Sequence, residues 1–399
     1  MRSWICGIDL GSNKIAGAIG RAKGKDLSLF ASASVPSAGV TKGIVTDLGE
    51  ASSAMKELVD RLEFQSKLHL EGTLLSVQGT HLDCLSVQGN DIVSEKGREV
   101  TSREVRQALN QAQSIALPMN RRVLHALLQG YVIDGQEAIR NPIGMYSHRL
   151  RVQLKIITGQ NTAIQNAVTS VNRAGLEVEG VVFSGYATAL AVLEREERNF
   201  GCALLEIGEN SSSFLTFQGG GVTHLKVFPT GSFSITEKIS ERFQISLEEA
   251  ELLKRQHGSL DSSGSSESHQ FLVNDGSRKK VVRRGELCQV IREAVKDLLT
   301  SFREEIQKHV SSSATLVLAG GTALLEGMVE ETGNFYQCRT RLGEIQDAHS
   351  EKMVTLPFAA SIGVIRYGYD KSKEEKELLP EGAVGRAVYR VKTLLAEYF

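Results

Sequence analysis

The sequence predicts an α/β chain of two like halves, with an α+β module inserted in the first and an amphipathic helix at the C-terminal end. Three observations carry this. Gly7-Ile8-Asp9-Leu10-Gly11-Ser12-Asn13 returns as Leu204-Leu205-Glu206-Ile207-Gly208-Glu209-Asn210, an apolar run, an acid, one apolar residue and a glycine turn each time. Each copy leads into a second apolar stretch, the pattern of a β-hairpin whose tight turn carries backbone amides beside a carboxylate. The last residues repeat Val, Leu and Tyr at helical spacing with arginine and lysine between them.

A chain of 399 residues is long enough for two domains, each with its own core. Apolar content of 41% and charged content of 23% suit a soluble globular protein, and a net charge of −1 gives no field that points to nucleic acid. Five dispersed cysteines without a C-x-x-C pair read as reduced thiols of a cytoplasmic protein. The chain enters a strand pattern at once, so no signal peptide is expected. No apolar run reaches the roughly 18 residues of a spanning helix, so membrane contact is expected to be peripheral.

The elements follow in order. Ile5–Leu10 and Ile15–Gly20 form the first hairpin and Leu27–Val35 a further strand; Asp47 to Leu62 is a helix with Leu48, Ala51, Met55, Leu58, Val59 and Leu62 on one face. These belong to a first half, residues 1–78 and 160–200. Residues 79–159 form the module: strands at Leu82–Gln88, Val123–Ile133 and Leu150–Thr158, and a helix opened by the capping box Thr101-Ser102-Arg103-Glu104. Asn161–Ala174 is helical, Val181–Phe183 a strand, and Ser184–Arg195 a helix. The second half, 201–368, opens on a meander of Leu204–Ile207, Ser213–Gln218 and Val222–Pro229. Gly219-Gly220-Gly221 is a hairpin turn in it rather than a phosphate loop. An outer part, about 235–285, holds helices at Ile235–Phe243 and Ser246–His257, a Gly/Ser-rich loop, and a small hairpin of Phe271–Val273 with Lys279–Val282. Glu286–Val310 is a long helix and Thr315–Leu318 a buried strand ending in Ala319-Gly320-Gly321-Thr322. Residues 369–381 read as a charged linker, and 382–399 as the final helix.

Two acid–glycine turns facing each other could hold a polyphosphate, with amides on the phosphates and Asp9 and Glu206 near a Mg²⁺ ion. Paired glycines at 320 and 321 either let backbone approach a base or ribose, or serve a strand-to-helix turn. Glu251 and Lys254, three apart on one helix face, either clamp a nucleoside or form a solvated ion pair. In the last helix Val384, Val388, Val391, Leu394, Leu395 and Tyr398 share a face that ends at Phe399, and Arg386, Arg390 and Lys392 occupy the rest. A basic amphipathic helix on a charged linker suits a membrane interface; docking on its own domain or in a partner's groove is the alternative.

Together these residues resemble the FtsA family of bacterial cell-division proteins, in the actin/Hsp70/hexokinase superfamily. Beyond the opening turn, the resemblance lies in Arg122-Val123-Leu124-His125, Ile139-Arg140-Asn141-Pro142-Ile143-Gly144-Met145, Arg173-Ala174-Gly175-Leu176, Ala250-Glu251 with Lys254 and His257-Gly258, Ala319 to Gly327, and the terminal helix. It implies a two-domain actin-like fold in which the module joins protomers into filaments. It implies ATP and Mg²⁺ in an interdomain cleft lined by Asp9, Gly11, Ser12, Asn13 and Lys14, by Glu206, Gly208, Asn210 and Ser211, and by Gly231, Glu251, Lys254, Gly320 and Gly321. It also implies a scaffold at the division septum, on the cytoplasmic face of the inner membrane. There the chain would hold the C-terminal tail of FtsZ on the outer part of the second half, recruit later division proteins and bind no nucleic acid. An active ATPase of the superfamily and a PilM-like pilus scaffold are the alternatives; the terminal helix argues against the latter. Where the family carries Asp-Ile-Gly-Gly-Gly-Thr, this chain has Glu206-Ile207-Gly208-Glu209-Asn210-Ser211. A side chain limits backbone approach to phosphate, and Glu209 adds negative charge there, so the expectation is weakened ATP binding and at most weak hydrolysis.

Overall fold

A computed structural model describes residues 4–23, 26–261, 269–275, 278–311, 314–345 and 356–377. Strands β1 (Trp4–Leu10), β2 (Lys14–Lys23) and β3 (Asp26–Pro36) form an antiparallel meander, followed by the two-residue pair β4 (Val40–Thr41) and β5 (Ile44–Val45). Helix α1 (Leu48–Ser66) starts where Asp47 accepts a hydrogen bond from the Glu50 N–H, and it buries Met55, Leu58 and Leu62 on the sheet. Strand β6 (Gly72–Val77) then runs parallel to β1, so both strands end at the same edge as the first turn.

The inserted module comprises β7 (Leu82–Ile92), β8 (Arg98–Glu99), α2 (Ser102–Gln113), β9 (Arg121–Ile133), β10 (Gln136–Ile139), β11 (Tyr146–Ser147) and β12 (Arg149–Gln160). Its sheet has the order β10-β9-β12-β7, with α2 across one face. Glu104 reaches back to the Thr101 N–H at 2.9 Å, closing the capping box. Gly89 lets α2 lie close, because a Cβ there would stand 2.0 Å from the Ala108 carbonyl oxygen. The module has its own core, Val100, Ala108 and Tyr131 among its members, separate from the large core of the two halves.

Helix α3 (Asn161–Arg173), strand β13 (Glu177–Phe183) and helices α4 (Ser184–Val192) and α5 (Arg195–Phe200) complete the first half. The helix expected over Ser184–Arg195 thus ends three residues early, at Val192, and a second short helix starts at Arg195. Leu193 and Glu194 are extended, and Arg341 holds the break by binding the Val192 carbonyl at 3.2 Å and gripping the Glu197 carboxylate at 2.6 and 3.0 Å.

The second half repeats the plan with β14 (Cys202–Ile207), β15 (Ser212–Gln218), β16 (Gly221–Phe228), α6 (Phe233–Phe243), α7 (Leu247–His257), β17 (Gln270–Asp275), β18 (Arg278–Arg283), α8 (Arg284–His309), β19 (Thr315–Ala319), α9 (Met328–Tyr336), β20 (Arg339–Leu342) and α10 (Ala359–Glu377). The sheet order β13-β6-β1-β2-β3 of the first half matches β20-β19-β14-β15-β16 of the second, with the same mixture of parallel and antiparallel neighbours. Helix α10 crosses back to pack on β1 and α4 of the first half. It continues through Asp370 to Glu377, where a linker was expected. Its Lys/Glu-rich end is made of good helix formers with no breaker before Pro380. The terminal segment 382–399 lies outside the described residues, among which no helix is long and apolar enough to cross a membrane.

Candidate nucleotide cleft

The two like sheets bring their hairpin turns to one cleft of about 570 Å³. Asp9, Gly11, Ser12, Asn13 and Lys14 line one side, and Glu206, Gly208, Asn210 and Ser211 the other. Glu251, Lys254, Gly320 and Gly321 close the outer end. Gly231 stands outside the lining. It backs the second turn, where a Cβ would meet the carbonyl oxygens of Gly208 and Glu209, each at 2.4 Å. The two turns match at atomic level: a Cβ on Gly11 would sit 2.7 Å from the Lys14 carbonyl oxygen, and one on Gly208 would sit 2.8 Å from that of Ser211. Each glycine is required by its own turn. Gly320 is likewise set by φ +85° and by the Ile207 backbone beneath it, whereas Gly321 faces open space.

The carboxylates form the floor. Asp9 accepts hydrogen bonds from the Ser76 hydroxyl and, at 3.4 Å, from that of Ser184. Thr188 donates to Glu206 Oε1 at 2.6 Å, while Glu206 Oε2 is buried without a hydrogen-bond partner. Burial lifts Glu206 to about 7, against the Thr188 bond that pulls it down and with the charge of Asp9 adding to the rise. Burial raises Asp9 as well. Two buried acids of raised pKa, one with an oxygen unspent, suit a hard cation with oxygen ligands.

The walls carry opposed charges. Lys14 donates to the Pro357 carbonyl at 2.5 Å and lies over the Phe358 ring; burial holds it down at about 8. Glu251 and Lys254 form a partly buried pair at 2.5 Å rather than a solvated one. Both also bind Thr236, whose hydroxyl lies 2.6 Å from Glu251 and 2.8 Å from Lys254. Glu209, in the second turn, faces Asn13 of the first, and burial lifts its carboxyl above the ordinary range.

Several cleft residues escaped sequence reasoning. Gln78 reaches from the end of β6 to the Ser211 carbonyl at 3.4 Å, spanning the halves. Ser184 and Thr188, four apart on α4, serve one acid each; a Ser/Thr pair at that spacing is too common to flag a site. Arg255 and Thr322 join from α7 and the turn after β19.

Comparisons with known proteins agree with this architecture. Residues 79–158 match the family model described as the SHS2 domain inserted in FtsA, and residues 203–363 match that of the cell division protein FtsA. The chain is 28% identical to the cell division protein FtsA of Escherichia coli strain K12, covering 100% of this chain and 99% of that one. It is 27% identical to that of Bacillus subtilis strain 168, over 84% and 77%. Among solved structures, a PilM–PilN type IV pilus biogenesis complex superposes with a TM-score of 0.64 at 16% identity, over 91% of this chain and 98% of that one. MreB5 of Spiroplasma citri bound to ADP superposes with a TM-score of 0.54 at 14% identity, over 94% and 99%. These two show a shared actin-like fold. With both family models placed on the chain and relatives matched along its whole length, the chain belongs to the FtsA family of cell-division proteins.

Proposed function

We propose that this division protein is a nucleotide-binding scaffold, which holds the FtsZ tail at the inner membrane and self-associates through its inserted module. The observation that carries the nucleotide part is the floor between the paired turns: Asp9, and Glu206 with a buried, unpartnered Oε2. Mg²⁺ held by Asp9 and Glu206 would neutralise both acids and the phosphates of ATP. The turn amides would orient the phosphates, and Lys14 would leave the Pro357 carbonyl to meet them. Lys254 and Glu251 would face the nucleoside. Glu209 opposes this by standing beside the phosphate path, which supports weak binding and at most weak turnover. The Spiroplasma citri MreB5 structure holds ADP in a shared fold, a precedent for this cleft.

For the partner, the β17–β18 hairpin supports the outer part as a docking surface. Leu272 and Val281 sit opposite each other and exposed, at 71% and 57%, with Arg283 exposed nearby. Lys280 serves the fold instead, binding carbonyls at the end of α6. An acidic, partly apolar tail fits such a surface. The membrane part rests on segment 382–399 as a basic amphipathic helix.

Calorimetry with ATP and Mg²⁺ tests the cleft. Binding that is lost in Glu206→Ala and in Asp9→Ala is expected. No heat at millimolar ligand overturns the pocket, and steady hydrolysis at about 1 s⁻¹ or faster, the rate of a dedicated enzyme, overturns the scaffold.

A further inference from the structure

On the far side of the second half, three metal-ligating side chains from two elements meet. His224 lies on β16, and Glu305 and His309 are four apart on the last turns of α8. Their ligand atoms all lie within 4.8 Å of one another. His224 Nε2 is 2.8 Å and His309 Nε2 3.4 Å from the same Glu305 Oε1. Both ring nitrogens are shut off from solvent, yet neither is aligned for a hydrogen bond. Two buried imidazole nitrogens therefore converge on one carboxylate oxygen, paired with it by distance but poorly aligned for hydrogen bonds, an arrangement that leaves room for a further partner.

From this convergence we propose that His224, Glu305 and His309 bind a divalent transition ion, zinc in the first instance, as a site independent of the nucleotide cleft. Two histidines and a carboxylate are a known zinc ligand set, with a fourth position left to water. Zinc–ligand bonds of about 2.0–2.2 Å at tetrahedral angles put ligand atoms roughly 3.3 Å apart. The Glu305–His309 separation of 3.4 Å already meets this. The Glu305–His224 separation must open by about half an ångström to reach it. The rings now stack at 3.8 Å and 12°, so the ion must turn one of them until its lone pair points inward. His309, the last residue of α8 and partly exposed, has that freedom. The Lys155 ammonium, which opposes a cation, is occupied 2.7 Å from the Ser86 hydroxyl of the inserted module. Strand β16 is the sheet edge on which the module rests, through Gln129 donating to the Thr223 carbonyl at 3.1 Å. An ion here would tie that edge to α8 and stiffen the seat of the module.

The test titrates zinc chloride into the chelator-stripped full chain, read by competition with a fluorescent zinc chelator. One ion per chain is expected, with affinity reduced more than about tenfold in Glu305→Gln or His309→Gln and lost in the His224→Gln/His309→Gln double variant. Cobalt(II) in the same site should give the intense visible bands of four-coordinate geometry. No stoichiometric binding, or equal affinity in a folded double variant, overturns the proposal. Should the double variant not fold, the imidazole resonances of the wild-type chain decide. Zinc must shift those of His224 and His309, and shifts confined to other histidines overturn the site.

Discussion

Acid should loosen the seam between the inserted module and the first half, and His125 is the group through which it acts. His125 lies on β9, 4% exposed, with its ring against Tyr186 and Tyr367 at 5.7 and 5.3 Å. Its Nε2 accepts the Phe183 N–H of β13 at 2.9 Å, so the native state needs the neutral ring. Burial, with the charge of Lys371 adding, lowers His125 from 6.5 to about 4. Above pH 6.5 the ring is neutral folded and unfolded, and nothing is lost. Between 6.5 and 4 the unfolded chain takes up a proton that the folded chain refuses, so stability falls as pH falls. About 2.5 pH units at roughly 1.4 kcal/mol each give a loss near 3 kcal/mol by pH 4. His125→Asn keeps an acceptor for Phe183 but cannot titrate. At neutral pH it should cost about 1–2 kcal/mol in lost packing. On acidification the gap to wild type should close and then reverse, moving by about 2–3 kcal/mol in favour of the variant. Urea unfolding of both proteins across this range gives the difference; His81, also lowered to about 4, contributes equally to both and cancels. Amide exchange at Phe183 reports the seam itself, since the module has its own core and can open separately. Parallel stability curves for the two proteins would refute the assignment.

Other outcomes follow from the same structure. Glu209→Gly removes a carboxylate beside the phosphate path; at ~4 Å that charge costs roughly 1–4 kcal/mol, so Mg-ATP should bind about fivefold tighter or more. An unchanged calorimetric affinity would mean that the side chain turns away. Thr101→Ala opens the capping box of α2 and should cost the module about 1 kcal/mol, visible as a lower urea midpoint. Val391→Asp with Leu395→Asp should release the chain from anionic vesicles without changing its fold; co-sedimentation equal to wild type would place that helix on protein. Arg283→Glu with Arg284→Glu should weaken capture of the FtsZ tail, most at low salt, and equal affinity there would exonerate both arginines.

Much of the fold was legible because it is set locally. The duplicated acid–glycine hairpins, the Thr101–Glu104 box, the Gly219-Gly220 turn and the stripe of α8 each depend on neighbours within a few residues. What failed to show was decided by contacts distant in sequence. The early end of α4 at Val192 is met by Arg341, which grips Glu197 from 144 positions along the chain. Lys14 is tied to a carbonyl 343 residues on, and only the packed cleft tells Glu251 and Lys254 apart from a solvated pair. The sequence could name Asp9 and Glu206 as equivalent acids, since repetition is a property of order along the chain. That both are buried side by side, one with an oxygen unspent, depends on how much water two folded sheets exclude, and desolvation is a property of the tertiary structure alone. The meeting of His224 with Glu305 and His309 is of the same kind: residues on a strand and a helix that share no local pattern, brought within ligand distance by the packing of α8 on its sheet.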